Sequence, residues 1–206
     1  SVESQIVGAS RMILNDKHKY LIAMLRAVQN GYELPEITTK DEYNDIKANR
    51  DRDVILSGFV GFACAFGGKW FSGYARSRDG SVNHAARGKR SLLRKMVTLK
   101  NAEFSCADYR DVIIPPGSVI YADPPYANTH GYSAGKFDSA AFWDEMRKLA
   151  REGHTVFASE ENAPEDFVCV WEKRIQRSAN GNVAEKKQAT EKLFVLEYSK
   201  AKEGAV

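Results

Sequence analysis

An apolar run that stops at two consecutive prolines constrains this 206-residue chain more than any other stretch. Residues 118–122 (SVIYA) have the length and composition of a short buried strand, and Asp123-Pro124-Pro125-Tyr126 follows directly. Proline lacks a backbone N–H and has a fixed φ, so it cannot continue a central strand. The sequence therefore predicts a strand that ends at Ala122 and a rigid loop that begins with an acid.

Strand-like and helix-like segments alternate along most of the chain. Residues 12–14 are predicted as a strand followed by Asn15 and Asp16, and a helix then runs to a cap at Gly31. A second strand is expected to end at Asp108, and Asp138 is expected to cap a helix. The buried stripe of that helix is predicted to be Phe142, Trp143, Met146 and Leu149. This order predicts an α/β fold with an open, mostly parallel sheet, helices on both faces, and ligands at the carboxyl ends of its strands.

Three segments have less regular patterns. The stretch 54–76 (VILSGFVGFACAFGGKWFSGYAR) has no clean period, and we expect irregular structure there. Residues 89–100 (KRSLLRKMVTLK) predict a basic amphipathic helix, with an inner side formed by Leu92, Leu93, Met96 and Leu99. Residues 176–191 (QRSANGNVAEKKQATE) are polar and predict a loop before a last strand.

The charge of the chain is unevenly distributed. Residues 69–100 contain nine lysines and arginines and one acid, Asp79, a net charge of +8 that leaves −5 for the remainder. Such a segment favours a polyanionic partner such as nucleic acid, although a solvated helix face has the same composition.

Other features of the composition restrict the class of protein. No apolar run reaches membrane-spanning length, so no membrane partner is expected. Three cysteines without a C-x-x-C pair indicate reduced thiols in an intracellular protein. The four scattered histidines have no metal-ligand spacing, so no metal site is predicted.

Three acids follow predicted strands: Asp16, Asp108 and Asp123. In an open α/β sheet such positions line one crevice, where one acid can bind ribose hydroxyls and another the exocyclic amine of adenine. Acids at strand ends are also common as helix caps and turn residues.

The loop at Asp123 suggests a particular chemistry. The carboxylate of Asp123 and the carbonyl oxygen of Pro124 can both accept hydrogen bonds from one amino group, and Tyr126 offers a flat face for a flipped base. Rigid prolines reduce the entropy lost at the moment of reaction. This arrangement is suited to direct attack by an amine on an activated methyl group.

The motif DPPY after an apolar strand resembles the catalytic motif of amino-methylating DNA methyltransferases, which use S-adenosylmethionine. Further segments occur in the order seen in phage-type relatives of the Dam-like, D12-class adenine-N6 methyltransferases: LNDKHKYLIAMLRAVQNG, GFVGFACAFGGKWFSGYAR, CADYRD, YADPPYANTHGYSAGKFDSAAFWDEMRKLA and APEDFVCVWEKRI. The resemblance extends from about Met12 to Tyr198.

The resemblance implies a role for each matching residue. Asp123, Pro124 and Tyr126 would form the catalytic grip on the target adenine, with Pro125 shaping the loop. For the cofactor, Asp16 would bind the ribose, Asp108 would accept from the adenine amine, and the backbone of Tyr109 would contact the ring. DNA phosphates would be contacted by Lys69, Arg76, Arg78, Lys89, Arg90 and Arg94, or these would be solvated charges. Residues 1–35 and 98–206 would form the methyltransferase core, and residues 36–97 a target-recognition insertion.

One departure from the family pattern affects the expected activity. The family has a glycine-rich turn after its first strand, and no such turn lies upstream of Asp16; residues 1–10 resemble the helix that follows it. We therefore expect an N-terminally truncated methyltransferase of a bacterial or phage-infected cytoplasm, with a second chain as a possible source of the first strand. A displaced glycine loop at residues 58–68 is an alternative. Two other functions remain open: an inactive DNA-binding remnant, and amino methylation of cytosine or RNA.

Overall fold

The computed structural model describes residues 8–125, 137–178 and 186–197. Within these ranges the chain forms five α-helices and six strands. The chain divides into two compact units, Ser1–Val112 and Ile113–Val206. The α/β class predicted from the sequence is confirmed.

The first unit consists mainly of helices around a short parallel strand pair. Its elements are β1 (Ile13–Asn15), α1 (Lys19–Gln29), α2 (Lys40–Ala48), α3 (Val54–Ala63), α4 (His84–Thr98) and β2 (Glu103–Ser105). Strands β1 and β2 are parallel, with Leu14 opposite Phe104. A polar side chain accepts a hydrogen bond from the first turn of each helix, and these caps are His18, Thr39, Asp53 and Asn83.

Helix α3 contradicts the prediction of irregular structure after Val54. It is apolar around most of its circumference, so it has no amphipathic period, and it is buried between the other helices of this unit. Gly58 lies against the backbone oxygen of Tyr20 in α1, and Gly61 lies against the indole of Trp70. These glycines allow close packing inside a helix and do not belong to a loop that could cradle a ligand.

Helix α4 confirms the predicted basic amphipathic helix, with one correction. Met96 and Leu99 are buried, and Leu92 packs against the core of the first unit. Leu93 is 44% exposed, contrary to its predicted place on the inner side. The close approach of Gly88 to Ala63 of α3 sets the rotation of α4, and this rotation turns Leu93 outward.

The second unit is a four-stranded sheet covered by one helix. Its elements are β3 (Val119–Ala122), α5 (Ser139–Arg151), β4 (Thr155–Glu160), β5 (Phe167–Ser178) and β6 (Lys186–Leu196). The strand order is β3-β4-β6-β5. Strands β3 and β4 are parallel, whereas β6 pairs antiparallel with both β4 and β5.

The sheets of the described residues are not mostly parallel, contrary to the sequence-based expectation. The antiparallel pairs are those of β6 with β4 and with β5. Strand β5 continues to Ser178, and β6 begins at Lys186. Most of the segment 176–191, predicted to be a loop, therefore belongs to these strands. Backbone pairing between two long strands compensates for the polar composition that suggested a loop.

The predictions for β3 and α5 are confirmed. Strand β3 ends at Ala122, before the prolines, and Asp138 caps α5 by accepting a hydrogen bond from the N–H of Ala141 at 3.0 Å. The predicted stripe of α5 is buried: Phe142, Trp143, Met146 and Leu149. The ring of Trp143 packs at 4.6 Å from that of Phe167, which joins α5 to the sheet.

Two further observations concern organisation. Residues of α2, α3 and α4 share one hydrophobic core with α1 and β2, so the expected division between a catalytic core and an insertion at residues 36–97 stays a prediction. Among the helices that the structure describes, none is long and apolar enough to cross a membrane.

The packing of α3 on α1 generates a prediction about stability. Replacing glycine by alanine in a helix ordinarily stabilises it by about 1 kcal/mol. We expect Gly58→Ala to have the opposite sign and to lower the free energy of unfolding by roughly 1–3 kcal/mol, because its Cβ would overlap the Tyr20 backbone. Urea denaturation followed by tryptophan fluorescence measures this change. A stabilised variant would show that the two helices are not in close contact here.

Candidate functional site

The parallel pair β1–β2 ends in a set of hydrogen bonds that holds the two following segments side by side. The side-chain amide of Asn15 donates to the carbonyl oxygen of Ala107 at 3.0 Å and accepts from the N–H of Ala107 at 3.1 Å. The N–H of Asp16 donates to the carbonyl oxygen of Ser105 at 3.3 Å. Asp16 and the segment that leads to Asp108 therefore leave the sheet at the same edge.

Asp16 is exposed and takes part in the turn before α1. Its Oδ1 accepts a hydrogen bond from the N–H of His18 at 2.7 Å, and His18 Nδ1 accepts from the N–H of Leu21 at 3.3 Å. Burial lowers the pKa of His18, which favours the neutral ring that this acceptor role requires. The His18 ring lies edge-on to Trp70, with centroids 4.3 Å apart. This packing fixes the turn that presents the Asp16 carboxylate.

Asp108 is an ionised carboxylate with several donors. Arg110 donates to it from Nε at 2.8 Å, from Nη2 at 3.0 Å and from its backbone N–H at 3.2 Å. Lys17 Nζ donates at 3.3 Å. These donors, Arg110 above all, hold the pKa of Asp108 well below its usual range and raise the pKa of Arg110.

The strand before Asp108 is shorter than predicted. Strand β2 ends at Ser105, and Asp108 caps a 3₁₀ turn, Tyr109–Asp111. The chain turns because the backbone of Ala107 pairs with the side chain of Asn15 instead of a neighbouring strand. The guanidinium of Arg110 lies 5.5 Å from the centroid of the Tyr109 ring. Asp16 and Asp108 thus lie at one edge of the first unit, and the cofactor-binding roles predicted for them stay predictions.

The Asp123 loop belongs to the second unit and begins where β3 ends. Asp123 is exposed, Pro124 is buried and Pro125 is half-buried. The burial of Pro124 holds the start of the loop in place next to Asp123. Tyr126, the fourth predicted catalytic residue, lies outside the described residues. A single crevice shared by Asp123 with Asp16 and Asp108 stays a prediction.

Two buried polar residues lie beside this loop at the end of β4. Ala122 is in register with Ala158, so Ser159 and Glu160 follow at the level where Asp123 follows β3. Each is only 6% exposed. Sequence reasoning missed both, although a Ser-Glu pair at the end of an apolar strand resembles the signal that singled out Asp123.

The predicted DNA-binding cations do not form one uniform set. Lys69, Arg76, Arg78, Arg90 and Arg94 are exposed. None of these five forms an ion pair with a residue that the structure describes. Lys89 differs, because it is only 22% exposed and its Nζ lies 3.2 Å from Glu36. Lys89 therefore ties α4 to the segment before α2, whereas the other five are available to a ligand.

Arg87 is a cation that sequence reasoning missed. It is exposed and lies three residues before Arg90 and seven before Arg94, so the three arginines share one face of α4. The i, i+3, i+7 spacing is visible in the sequence and was the available signal. We call this set, Arg87, Arg90 and Arg94, the α4 arginine stripe.

Comparison with known protein families assigns the chain to a class. The profile of the D12 class N6 adenine-specific DNA methyltransferase family matches residues 69–176, more than half of the chain. The chain therefore belongs to this family of DNA-modifying enzymes, and the family predicted from the sequence is confirmed. The matched segment contains Asp108 and the Asp123 loop, whereas Asp16 lies outside it. A comparison with curated proteins finds no match.

The donors around Asp108 generate a prediction about acid stability. Its folded-state pKa is depressed, so its interactions stabilise the protein above the unfolded pKa of about 3.9 and are lost as the pH falls further. We expect Asp108→Asn to be less stable than wild type at pH 7, with a difference that shrinks below about pH 4. Urea denaturation at pH 7, 5 and 3 measures this difference. In the Arg110→Gln background the difference should be smaller at pH 7; an unchanged difference would contradict the role of Arg110.

Proposed function

We propose that the chain transfers a methyl group from S-adenosylmethionine to the N6 amino group of adenine in DNA. The observation that carries the proposal is the sequence Asp123-Pro124-Pro125, which follows β3 directly and lies inside the segment that matches the family. The exposed Asp123 and the buried Pro124 supply a reachable carboxylate on a fixed base.

The acids of the first unit fit the donors of S-adenosylmethionine. The ribose hydroxyls and the adenine amine of this molecule are hydrogen-bond donors, and Asp16 and Asp108 are acceptors at one strand edge. Asp16 Oδ2 accepts no hydrogen bond from the part of the chain that the structure describes, so it can receive a ribose hydroxyl. Asp108 stays ionised at neutral pH and can receive the amine beside Arg110. When bound, S-adenosylmethionine supplies a methyl group activated by a positive sulfur.

The Asp123 loop would orient the reacting amine. Asp123 and the carbonyl oxygen of Pro124 accept one hydrogen bond each from the two N–H groups of the adenine amine, and the nitrogen lone pair then points outward. With S-adenosylmethionine bound, this lone pair would form the new N–C bond as the C–S bond breaks, and the electron pair of the C–S bond would stay on the sulfur. The nitrogen then loses one proton to solvent. The adenine must leave the base stack to reach the loop, and Tyr126 would stack on it there.

DNA would be held by the exposed cations of the first unit. The α4 arginine stripe, together with Lys69, Arg76 and Arg78, presents charge to a phosphate backbone, and such contacts set affinity without reading sequence. Lys89 forms an ion pair with Glu36 and is not part of this surface.

We also propose that a further parallel strand pairs with the chain. Within the described residues β1 pairs only with β2, and β3 pairs only with β4. Val119 in β3 is 72% exposed, which is unusual for an apolar residue of a parallel strand. A second polypeptide that carries an apolar strand and a glycine-rich turn would cover an open strand edge of this kind and complete the cofactor site.

The strand proposal predicts the behaviour of the 206-residue chain. Isothermal titration calorimetry should show weak or no binding of S-adenosylmethionine to the chain alone, because within the described residues neither β1 nor β3 is followed by a glycine-rich turn. Addition of a peptide with an apolar strand followed by a glycine-rich turn should restore binding and methylation. Tight binding without the peptide would contradict the proposal. A peptide with the same strand and alanines in the turn is the control.

The catalytic proposal predicts a loss of turnover with retained DNA binding. Asp123→Ala should lower kcat at least about 100-fold in the peptide-completed enzyme, because it removes one of two acceptors for the reacting amine. Transfer of tritiated methyl groups to DNA measures kcat, and fluorescence anisotropy measures DNA affinity. Asp123→Asn keeps an acceptor oxygen and should lie between wild type and alanine. Near-normal turnover of the alanine variant would refute the role of Asp123.

The α4 arginine stripe predicts the salt dependence of DNA binding. Each lost phosphate contact reduces the slope of log affinity against log salt by about 0.9, so neutralising Arg87, Arg90 and Arg94 to Gln should reduce it by roughly 2–3. Lys89→Gln is the matched control, because it removes a cation of the same helix that is paired with Glu36. Equal slopes for the triple variant and the control would show that the stripe is only a solvated helix face.

A further inference from the structure

Strands β5 and β6 continue to pair with each other beyond the end of β4. They pair in register from Phe167–Leu196 to Ser178–Lys186. Strand β4 pairs with β6 at Phe194, Leu193 and Lys192. The six residue pairs beyond this level, residues 173–178 with 186–191, have no third strand within the described part of the chain. We call these residues the β5–β6 ribbon.

The ribbon projects at the edge that carries the catalytic loop. Glu160, the last residue of β4, is opposite Lys192 of β6, and the antiparallel β6 continues beyond that point toward Lys186. Strand β3 runs parallel to β4 with Ala122 opposite Ala158, so Asp123 also follows at the carboxyl end. The ribbon and the Asp123 loop therefore leave the sheet in the same direction.

The dimensions place the ribbon within reach of DNA bound at the loop. Strand β6 lies two strands from β3, a separation of roughly 10 Å. Six residue pairs at about 3.4 Å each make the ribbon roughly 20 Å long. The major groove of B-DNA is about 12 Å wide and admits a two-stranded β-ribbon. DNA with an adenine at Asp123 must pass within this range.

The charge of the ribbon differs in sign from that of its surroundings. Residues 173–178 and 186–191 contain five lysines and arginines and one acid, Glu191, a net charge of +4. The remaining residues of the range 113–206 have a net charge of −6. Lys173 and Arg174 are exposed, as are Val170 and Trp171, with the exposed acid Glu172 between Trp171 and Lys173. Cations next to an exposed aromatic ring are typical of a nucleic-acid surface.

The backbone register pairs Lys173 with the acid Glu191 at the base of the ribbon and Arg177 with Lys187 farther out. An isolated two-stranded ribbon is itself only marginally stable in water. Contacts with a second molecule would therefore add to the stability of this segment.

We propose that the β5–β6 ribbon is a second DNA-binding element, which contacts the duplex beside the adenine at Asp123. This proposal rests on the proposed function and adds a surface outside the basic window at residues 69–100. Most of the ribbon also lies beyond the segment that matches the family, which ends at residue 176.

The test is a charge reversal at two described ribbon residues. We expect Lys173→Glu/Arg174→Glu to weaken binding of a fluorescein-labelled 24-base-pair duplex at least about tenfold at 100 mM NaCl and to reduce the salt slope by about 1–2. Glu172→Lys, at the base of the ribbon, should strengthen binding. Thermal denaturation of each variant checks folding, and the gain expected for Glu172→Lys cannot result from misfolding.

The matched control reverses two cations at the opposite edge of the same sheet. Lys148 and Arg151 lie in the last turn of α5, which is followed after three residues by the start of β4. Lys148→Glu/Arg151→Glu changes the net charge by the same amount and should leave the salt slope unchanged. Equal affinities for the ribbon and control variants, with DNA binding by wild type intact, would overturn the ribbon proposal alone.

Two other outcomes are also decisive. If wild type shows no salt-dependent DNA binding, the proposed function fails together with the ribbon. If the ribbon variant changes the oligomeric state in size-exclusion chromatography with light scattering and leaves DNA affinity unaltered, the exposed strand edge is a protein interface. That result would overturn the proposal.

Discussion

The pairing of β4 with two neighbours of opposite direction organises the second unit. On one side β4 is parallel to β3, so the Asp123 loop begins at its carboxyl end. On the other side β4 is antiparallel to β6, so the ribbon leaves the sheet at that same end. The buried Ser159 and Glu160 lie between these two features. One register therefore decides where Asp123 and the β5–β6 ribbon lie in relation to each other.

Close packing of helices has the corresponding role in the first unit. Gly58 lets α3 lie directly against α1, and Gly61 leaves room for the indole of Trp70. Trp70 packs edge to face on His18, whose N–H donates to Asp16. The Asn15–Ala107 hydrogen bonds bring the segment before Asp108 to the same edge. The two candidate cofactor ligands thus depend on glycines and an asparagine that have no chemistry of their own in the reaction.

Ion pairing separates cations that look alike in composition. Lys89 and Arg90 are neighbours in a strongly basic segment, yet Lys89 is directed toward Glu36 and Arg90 toward solvent. A similar distinction applies to the acids. Asp108 is surrounded by donors that keep it ionised, whereas Asp16 uses one oxygen to stabilise a turn, and its other oxygen accepts no hydrogen bond from the described residues. The ion-pair and hydrogen-bond partners of a charged side chain, more than its residue type, determine whether it can contact another molecule.

The sequence by itself determined the local features of this protein. The segment Asp123-Pro124-Pro125 ends β3 at Ala122, and Asp138 caps α5. The 3.6-residue period identifies the buried face of α5. Each of these signals acts over a few residues, so the local sequence is sufficient to show it. The series of motifs also predicted the family, which the match over residues 69–176 confirmed. Only the tertiary structure decided the rest. Helix α3 has no amphipathic period because it is buried between other helices. Leu93 faces outward because the close approach of Gly88 to α3 sets the rotation of α4. The polar segments of β5 and β6 are strands because they pair with each other. In each case the deciding partner lies far away along the chain or has no signal in the local pattern.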